Sequence, residues 1–75
     1  TVQISKTSGL AGVAYWINQT YGLEDGEKLD KKSPLVVAMK EWVDRQYEDG
    51  RQTVMTEREL KEKIRQLAPD FAERG

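Results

Sequence analysis

Apolar residues recur at helical spacing in three stretches of this chain, and polar stretches separate them. In the first stretch, three- and four-residue steps place the following side chains on one helix face: Leu10, Val13, Ala14, Ile17 and Tyr21. Ser8 is the predicted N-cap of this helix. Gly22 fits the left-handed position just past a helix end, and Leu23 is expected to fold back onto the helix. The pattern predicts a helix over about residues 9–21.

The second stretch has clear signals at both ends. Ser33 is a predicted N-cap, and Pro34 occupies the first helical position, where its missing N–H costs nothing. Asp49 and Gly50 form a turn signal, so we predict a helix over about residues 34–48. Its apolar face is wider than one neighbouring helix would cover and consists of Leu35, Val36, Ala38, Met39, Trp42, Val43 and Tyr47.

The third stretch opens with a capping box, because Thr56 and Glu59 have the T-x-x-E spacing. Pro69 disfavours helical backbone at the residue before it, so the predicted helix covers about residues 57–67. Met55, just before the cap, and Leu60 inside the helix are expected to form a hydrophobic staple. One apolar stripe runs along this helix through Leu60, Ile64 and Leu67.

These elements predict an all-α fold: a small three-helix domain over residues 1–75 with a short extended N-terminal segment. In that segment Val2 and Ile4 alternate with polar residues, which is typical of a strand, but we expect no partner for it within this chain. Trp42 is the expected anchor of the core, which we place around Val13, Ile17, Leu35, Met39, Trp42, Leu60 and Ile64. Because the chain starts at Thr1 rather than Met, we expect it to be part of a longer protein.

Composition excludes several kinds of chemistry. The 12 Lys and Arg residues against 13 Asp and Glu residues give a formal net charge of −1, which argues against a dedicated nucleic-acid binder. The chain has no cysteine and no histidine; it therefore lacks disulfides, thiolate chemistry, the commonest general base and the commonest metal ligand. No membrane-length apolar run or signal-peptide pattern appears. We therefore expect a cytoplasmic protein with no membrane or nucleic-acid partner.

The third helix nevertheless suggests an alternative function. In a helix-turn-helix arrangement, the side chains facing DNA would be Arg58, Lys61, Lys63, Arg65 and Gln66. Three glutamates on the same helix would repel phosphate, and two of them have a lysine at the favourable i,i+4 spacing: Glu57–Lys61 and Glu59–Lys63. The alternative is thus a free-standing helical interaction or DNA-binding module.

The run from Val2 to Leu23, VQISKTSGLAGVAYWINQTYGL, resembles the segment that follows the catalytic barrel in 2-isopropylmalate synthases. The residues that match the family's pattern are Ser5, Ser8, Gly9, Gly12, Val13, Ala14, Tyr15, Gly22 and Leu23. Beyond Leu23 the similarity is limited to the order and length of the helices. Two positions depart from the family's patterns: Thr7 stands where many shorter relatives have histidine, and Leu10 replaces the usual basic residue.

The resemblance implies a function that this chain does not perform alone. The family is similar in chemistry to homocitrate, citramalate and Re-type citrate synthases, which condense acetyl-CoA with a 2-oxo acid and hydrolyse the thioester. The 2-isopropylmalate synthases do so in leucine biosynthesis. The resemblance implies a TIM-barrel catalytic domain with a divalent metal upstream of Thr1, and no cofactor in this fragment. It also implies a homodimer in which this helical subdomain covers the active site of the neighbouring subunit.

The resemblance also suggests site residues. Tyr15 matches the tyrosine of a Gly-Val-Ala-Tyr motif and is the candidate catalytic residue, positioning a substrate in the neighbouring subunit's site; an ordinary half-buried tyrosine is the alternative. Ser8, Gly9 and Gly12 match the small-residue front of the segment and are candidates for substrate binding or for the interface. From the residues alone, these glycines fit either close packing of two backbones or a helix N-terminus facing an anion.

Overall fold

The computed structural model describes residues 3–73, which form an all-α fold, as predicted. Helix α1 spans Leu10–Thr20, α2 spans Pro34–Glu48, α3 spans Glu57–Leu67, and a single turn, α4, spans Pro69–Ala72. Helix α2 packs against both α1 and α3, and α3 packs against α4. The ranges of α1, α2 and α3 lie within one residue of the predicted ones. The sequence prediction lacks α4, which begins at a proline because proline suits the first turn of a helix.

Helices α1 and α2 both end in a Schellman motif centred on glycine. After α1, the N–H of Leu23 donates to the carbonyl of Asn18 at 3.0 Å, and the N–H of Gly22 donates to the carbonyl of Gln19 at 3.3 Å. Gly22 has φ = 61°, and Gly50, which has φ = 106°, occupies the same place after α2. The buried Leu23 side chain completes the predicted return of the chain onto α1.

The start of α1 differs from the prediction. The N-cap is Gly9 and makes no side-chain cap, so Ser8 lies one residue outside the helix. The Ser8 hydroxyl accepts a hydrogen bond from the N–H of Ser5 at 3.0 Å and donates to the carbonyl of Gln3 at 3.3 Å. Short hydroxyl side chains often satisfy nearby backbone groups outside a helix in this way, and here that role replaces capping.

At the starts of α2 and α3, too, a hydroxyl side chain can either cap the helix or bond to backbone outside it, and the two helices differ in the outcome. Ser33 is the N-cap of α2 but makes no side-chain cap, because its Oγ accepts the N–H of Asp30 at 3.1 Å. At α3 the predicted capping box is confirmed. The N–H of Glu59 donates to Thr56 Oγ1 at 3.2 Å, and the Glu59 carboxylate accepts the N–H of Thr56 at 3.1 Å.

One core joins the three long helices, and its anchor is not the predicted tryptophan. Trp16 is buried at 7% exposure, whereas the predicted core residues Leu35 and Trp42 are only partly buried. Lys63 Nζ lies 5.8 Å from the centroid of the Trp42 ring, which is a cation–π contact at the surface. The buried cluster consists of Ile4, Val13, Ala14, Trp16, Ile17, Val36, Met39, Val43, Met55, Leu60 and Ile64.

The extended N-terminal segment has a partner in this chain, contrary to the prediction. The N–H of Met55 donates to the carbonyl of Ile4 at 2.9 Å, and the two residues form an antiparallel β-bridge. Both side chains are buried. Val2, which the sequence pattern groups with Ile4, lies outside the described residues. The bridge holds the segment before α1 against the connector that leads into α3.

The charged loop between α1 and α2 is fastened near its middle. The side-chain amide of Asn18 donates to the carbonyl of Leu29 at 2.9 Å and accepts its N–H at 2.8 Å. Leu29 packs against the core, while the residues at 24–28 are exposed. The loop is solvated, as its composition predicts, but it has one fixed point.

Candidate functional site

Three of the four residues suggested by the resemblance lie at the start of α1, and the fourth, Tyr15, lies in the middle of this helix. Gly9 is the N-cap, Gly12 lies in the first turn, and Ser8 precedes the helix. A Cβ atom added at Gly9 would meet nothing within 4 Å, and one at Gly12 would meet only the Ser8 side chain at 3.9 Å. Packing within the described residues therefore does not require either glycine, which leaves open an approach from outside this domain.

Ser8 belongs to a tight turn before α1. Its N–H donates to the carbonyl of Ser5 at 3.1 Å, and its hydroxyl accepts the N–H of Ser5 in return. The hydroxyls of Ser5 and Thr7 lie 3.3 Å apart. These bonds fix the turn that leads from the β-bridge into α1, and they occupy the Ser8 hydroxyl.

Tyr15 lies on the solvent-facing side of α1. Half of its surface is accessible, with an exposed fraction of 51%. Ala11 and Gln19, four residues before and after it, are also exposed, so the three form one open strip along the helix. None of the described residues covers this strip, so a surface of another domain or subunit can reach the phenol.

A polar cluster that the sequence analysis missed fixes the connector after α2. The guanidinium of Arg51 donates to both carboxylate oxygens of Glu59 at 2.6 Å. It also donates to the carbonyls of Thr53 at 3.0 Å and Val54 at 2.8 Å. The hydroxyl of Tyr47 donates to the same Thr53 carbonyl at 2.6 Å. Arg51 thereby provides hydrogen bonds for two backbone carbonyls of the connector that precedes Met55.

The charge on Glu59 is strongly stabilised by this arrangement. The hydrogen bonds from Arg51, with a smaller contribution from the backbone N–H of Thr56, lower the pKa of Glu59 from 4.5 to about 2. The predicted Glu59–Lys63 ion pair is wrong, because Glu59 faces Arg51 and Lys63 lies over Trp42. A single arginine in a connector has no periodicity, so pattern analysis gives no signal for it.

A groove of about 490 Å³ runs along the exposed side of α3 and ends against α4 and the end of α1. Its lining consists of Tyr21, Glu57, Arg58, Lys61, Glu62, Arg65 and Ala72. The predicted ion pair between Lys61 and Glu57 is present at 3.5 Å, and Arg65 pairs with Glu62. Arg58, Lys61 and Arg65, three of the residues proposed to face DNA, thus line this groove together with two glutamates.

The aromatic wall of the groove is formed by Tyr21, supported from behind by Phe71. Their ring centroids are 5.1 Å apart and the planes are tilted by 44°, a favourable aromatic geometry. Burial, and to a smaller extent the negative charge of Glu57, raise the pKa of the Tyr21 phenol. The phenol is therefore neutral at pH 7 and retains its O–H donor.

An apolar groove of about 370 Å³ lies where the start of α2 meets the end of α3. It is lined by Pro34, Leu35, Ala38, Leu67 and Ala68. Leu67 is 43% exposed, and Val37 on α2 is 36% exposed. Leu35 and Ala38 of the wide α2 face are thus only partly covered by the domain's own core.

Within residues 3–73, no group of three or more His, Cys, Asp or Glu side chains is arranged to hold a metal ion. The resemblance places the divalent metal in a barrel domain upstream of Thr1, and that metal stays a prediction. No helix in the described part of the chain combines the length and apolar character needed to cross a membrane.

Comparison with known proteins identifies two long relatives. Over 68 residues, 91% of this chain, the sequence is 39% identical to the citrate (Re)-synthase of Syntrophus aciditrophicus. Over 73 residues, 97% of this chain, it is 37% identical to the citrate (Re)-synthase of Clostridium kluyveri. This chain is similar to a segment of each of these two citrate (Re)-synthases. It spans only 11% and 16% of the length of these two relatives.

These relatives support the wider group of synthases that the resemblance suggests, and not the 2-isopropylmalate synthases in particular. The similarity continues past Leu23 through α2 and α3, where the resemblance rests on helix order alone. No protein-family profile matches the chain, and no solved structure matches it.

Proposed function

We propose that this chain is a helical subdomain of an enzyme that condenses acetyl-CoA with a 2-oxo acid. The observation that supports this most strongly is the similarity of nearly the whole chain to Re-citrate synthases that are several times longer. Because the chain has neither histidine nor cysteine, we place the catalytic groups in a separate barrel domain, which would also hold a divalent metal. The subdomain alone is expected to have no synthase activity.

Oxaloacetate is the 2-oxo acid that we propose first. The two relatives are named for the synthesis of citrate, and condensation of acetyl-CoA with oxaloacetate gives that product. Condensation with 2-oxoisovalerate, in leucine biosynthesis, is the alternative within the same group. We propose a cytoplasmic enzyme in either case.

We further propose that the subdomain covers the active site of the neighbouring subunit in a homodimer. Exposed apolar grooves on small domains commonly mark contact surfaces, and the groove that includes Leu35 and Leu67 is one such surface. The open approach to Gly9 and Gly12 and the exposed Tyr15 suit a second contact at the start of α1. Tyr15 would there reach a substrate group with its hydroxyl.

Release of free thiol from acetyl-CoA by the full-length enzyme, with a panel of 2-oxo acids, tests the reaction. We expect release with oxaloacetate, and none from the 75-residue chain alone. Release with 2-oxoisovalerate, 2-oxoglutarate or pyruvate instead would retain the reaction class and change the substrate. A folded, metal-supplied enzyme that releases no thiol with any of them would refute the proposal and favour the interaction-module interpretation.

Tyr15→Phe in the full-length enzyme tests the proposed contact. Loss of a hydrogen bond to a substrate group in a dry site reduces kcat by about tenfold or more, whereas the fold should not change because the phenol is exposed. Gln19→Ala, on the same strip of α1, is the matched control. Unchanged kinetics in Tyr15→Phe would make this residue an ordinary surface tyrosine.

A further inference from the structure

The groove beside α3 concentrates positive charge on a chain that is slightly acidic overall. Three of the four basic residues of α3, Arg58, Lys61 and Arg65, line it, and their i, i+3, i+7 spacing places them on one helix face. With the two glutamates of the lining, the formal charge there is +1, against −1 for the whole chain. Lys63, the fourth cation, lies on another side of the helix, over Trp42.

Arg58 is the cation in this groove without an internal partner. Lys61 and Arg65 are each paired with a glutamate on the same helix, whereas Arg58 forms no ion pair among residues 3–73. A guanidinium presents a planar fork of donors that matches two oxygens of a phosphate group. The groove therefore offers one free, bidentate anion-binding group and two further cations nearby.

The opposite wall of the groove suits a flat ring. The Tyr21 ring is held in place by Phe71, and Ala72 is small enough to keep the space beside it open. A base stacked on a tyrosine ring contributes about 1–3 kcal/mol by alanine substitution. The volume of about 490 Å³ is within the range of small-molecule pockets, roughly 300–1,000 Å³.

We propose that this groove binds a nucleoside phosphate, with its phosphate on Arg58 and its base on the Tyr21 ring. An inorganic anion would leave the aromatic wall unused. Duplex DNA would bring several phosphates against Glu57 and Glu62, at a cost in repulsion. A free adenine nucleotide and the adenosine-phosphate end of coenzyme A share the required chemistry. The site does not depend on the proposed synthase reaction, since binding is measured on the 75-residue chain itself.

The test titrates the 75-residue chain with four probes at low salt: adenosine 3′,5′-bisphosphate, ADP, inorganic phosphate and adenosine. Calorimetry gives the affinities, amide chemical shifts locate the site, and far-UV circular dichroism confirms that each variant is folded. We expect saturable binding of both nucleotides, and binding of phosphate or adenosine that is weaker by about tenfold or more, because each uses only part of the groove.

Three variants make the assignment specific. Arg58→Gln should weaken nucleotide binding by about tenfold or more, the effect of one charge-assisted hydrogen bond. Lys63→Gln removes the same charge from the same helix outside the groove and should weaken binding much less than Arg58→Gln does. Glu62→Gln should strengthen binding, because it removes a negative charge and frees Arg65.

Several outcomes overturn the proposal: no saturable binding, equal losses with Arg58→Gln and Lys63→Gln, or inorganic phosphate bound as tightly as the nucleotides. Tighter binding of duplex DNA would also overturn it in favour of a nucleic-acid surface. Among supporting outcomes, a preference for the 3′,5′-bisphosphate over ADP identifies the coenzyme A type of ligand. Equal binding of the two identifies a general adenine nucleotide.

Discussion

Truncation of Ile4 to alanine should destabilise the whole domain, although this residue precedes the first helix by several positions. Ile4 is 1% exposed and packs in the same cluster as Ile17 and Met55. Ile→Ala in a protein core costs about 2–5 kcal/mol, depending on how far the cavity collapses. We expect about 2 kcal/mol, since a segment near the chain start relaxes more readily than a helix. At about 0.05–0.15 kcal/mol per residue, this is a large part of the domain's stability.

Urea denaturation followed by tryptophan fluorescence measures this effect. Trp16 lies in the core at 7% exposure, so its emission should report loss of the packed state. With a slope near 1 kcal/mol per molar urea, typical of small domains, the midpoint should fall by about 2 M. Val54→Ala is the matched control, because Val54 lies beside Met55 in the chain but is 43% exposed; its cost should be below about 0.5 kcal/mol.

The prediction is refuted if Ile4→Ala lowers the free energy of unfolding by no more than Val54→Ala does. The N-terminal segment would then not be part of the packed core. A second check combines Ile4→Ala with Met55→Ala. Because the two side chains share one cluster, their effects should not add. The loss of stability in the double variant should differ from the sum of the two single losses by more than about 0.5 kcal/mol.

Three further substitutions test the ends, loop and charge network of the domain. Glu59→Gln removes the carboxylate whose pKa is lowered from 4.5 to about 2. The ion pair should stabilise the fold fully above pH 4.5 and be lost as the pH falls towards 2, so the urea midpoints of wild type and variant should converge there. Gly22→Ala places a side chain at φ = 61° and should cost about 1–2 kcal/mol in thermal unfolding. Asn18→Ala removes both hydrogen bonds to the α1–α2 loop; it should cost about 1–3 kcal/mol and speed tryptic cleavage there.

Two of these substitutions have a neighbouring control variant, and the third is checked by its pH dependence. Gly26→Ala lies in an open loop position without positive φ and should be nearly neutral, so equal losses at Gly26 and Gly22 would contradict the argument from backbone conformation. Gln19→Ala removes an exposed side chain next to Asn18 and should leave loop cleavage unchanged. If the urea midpoints of Glu59→Gln and the wild type differ by the same amount from pH 7 to pH 2, the ion pair is not the cause of that difference.

The helices could be predicted from the sequence because their signals are local. Apolar spacing, the proline at the start of α2, the Thr56–Glu59 box and the two glycines after α1 and α2 each act within a few residues. Ser8 was harder to place, since the same hydroxyl can cap a helix or close a turn with Ser5. The choice depends on where the preceding segment lies, and that is set by tertiary contacts.

The parts that could not be predicted depend on which elements meet. Trp42 lies on the predicted apolar face of α2, whereas Trp16 lies outside the predicted face of α1. Only the packing of α1, α2 and α3 decides that Trp16 is buried and Trp42 lies under Lys63. The groove beside α3 has the same origin: its basic residues are visible in the sequence, but the Tyr21 wall comes from another helix.

The Ile4–Met55 bridge also determines the order in which this domain can assemble. The two residues are about fifty positions apart, and closing a loop of that length costs several kcal/mol of chain entropy, about 1.5RT ln n plus a constant. The helices and their turns need only local contacts and can form on the microsecond scale. The bridge should therefore close last and open first. Hydrogen exchange at the Met55 amide would then report a local opening that leaves α1, α2 and α3 intact.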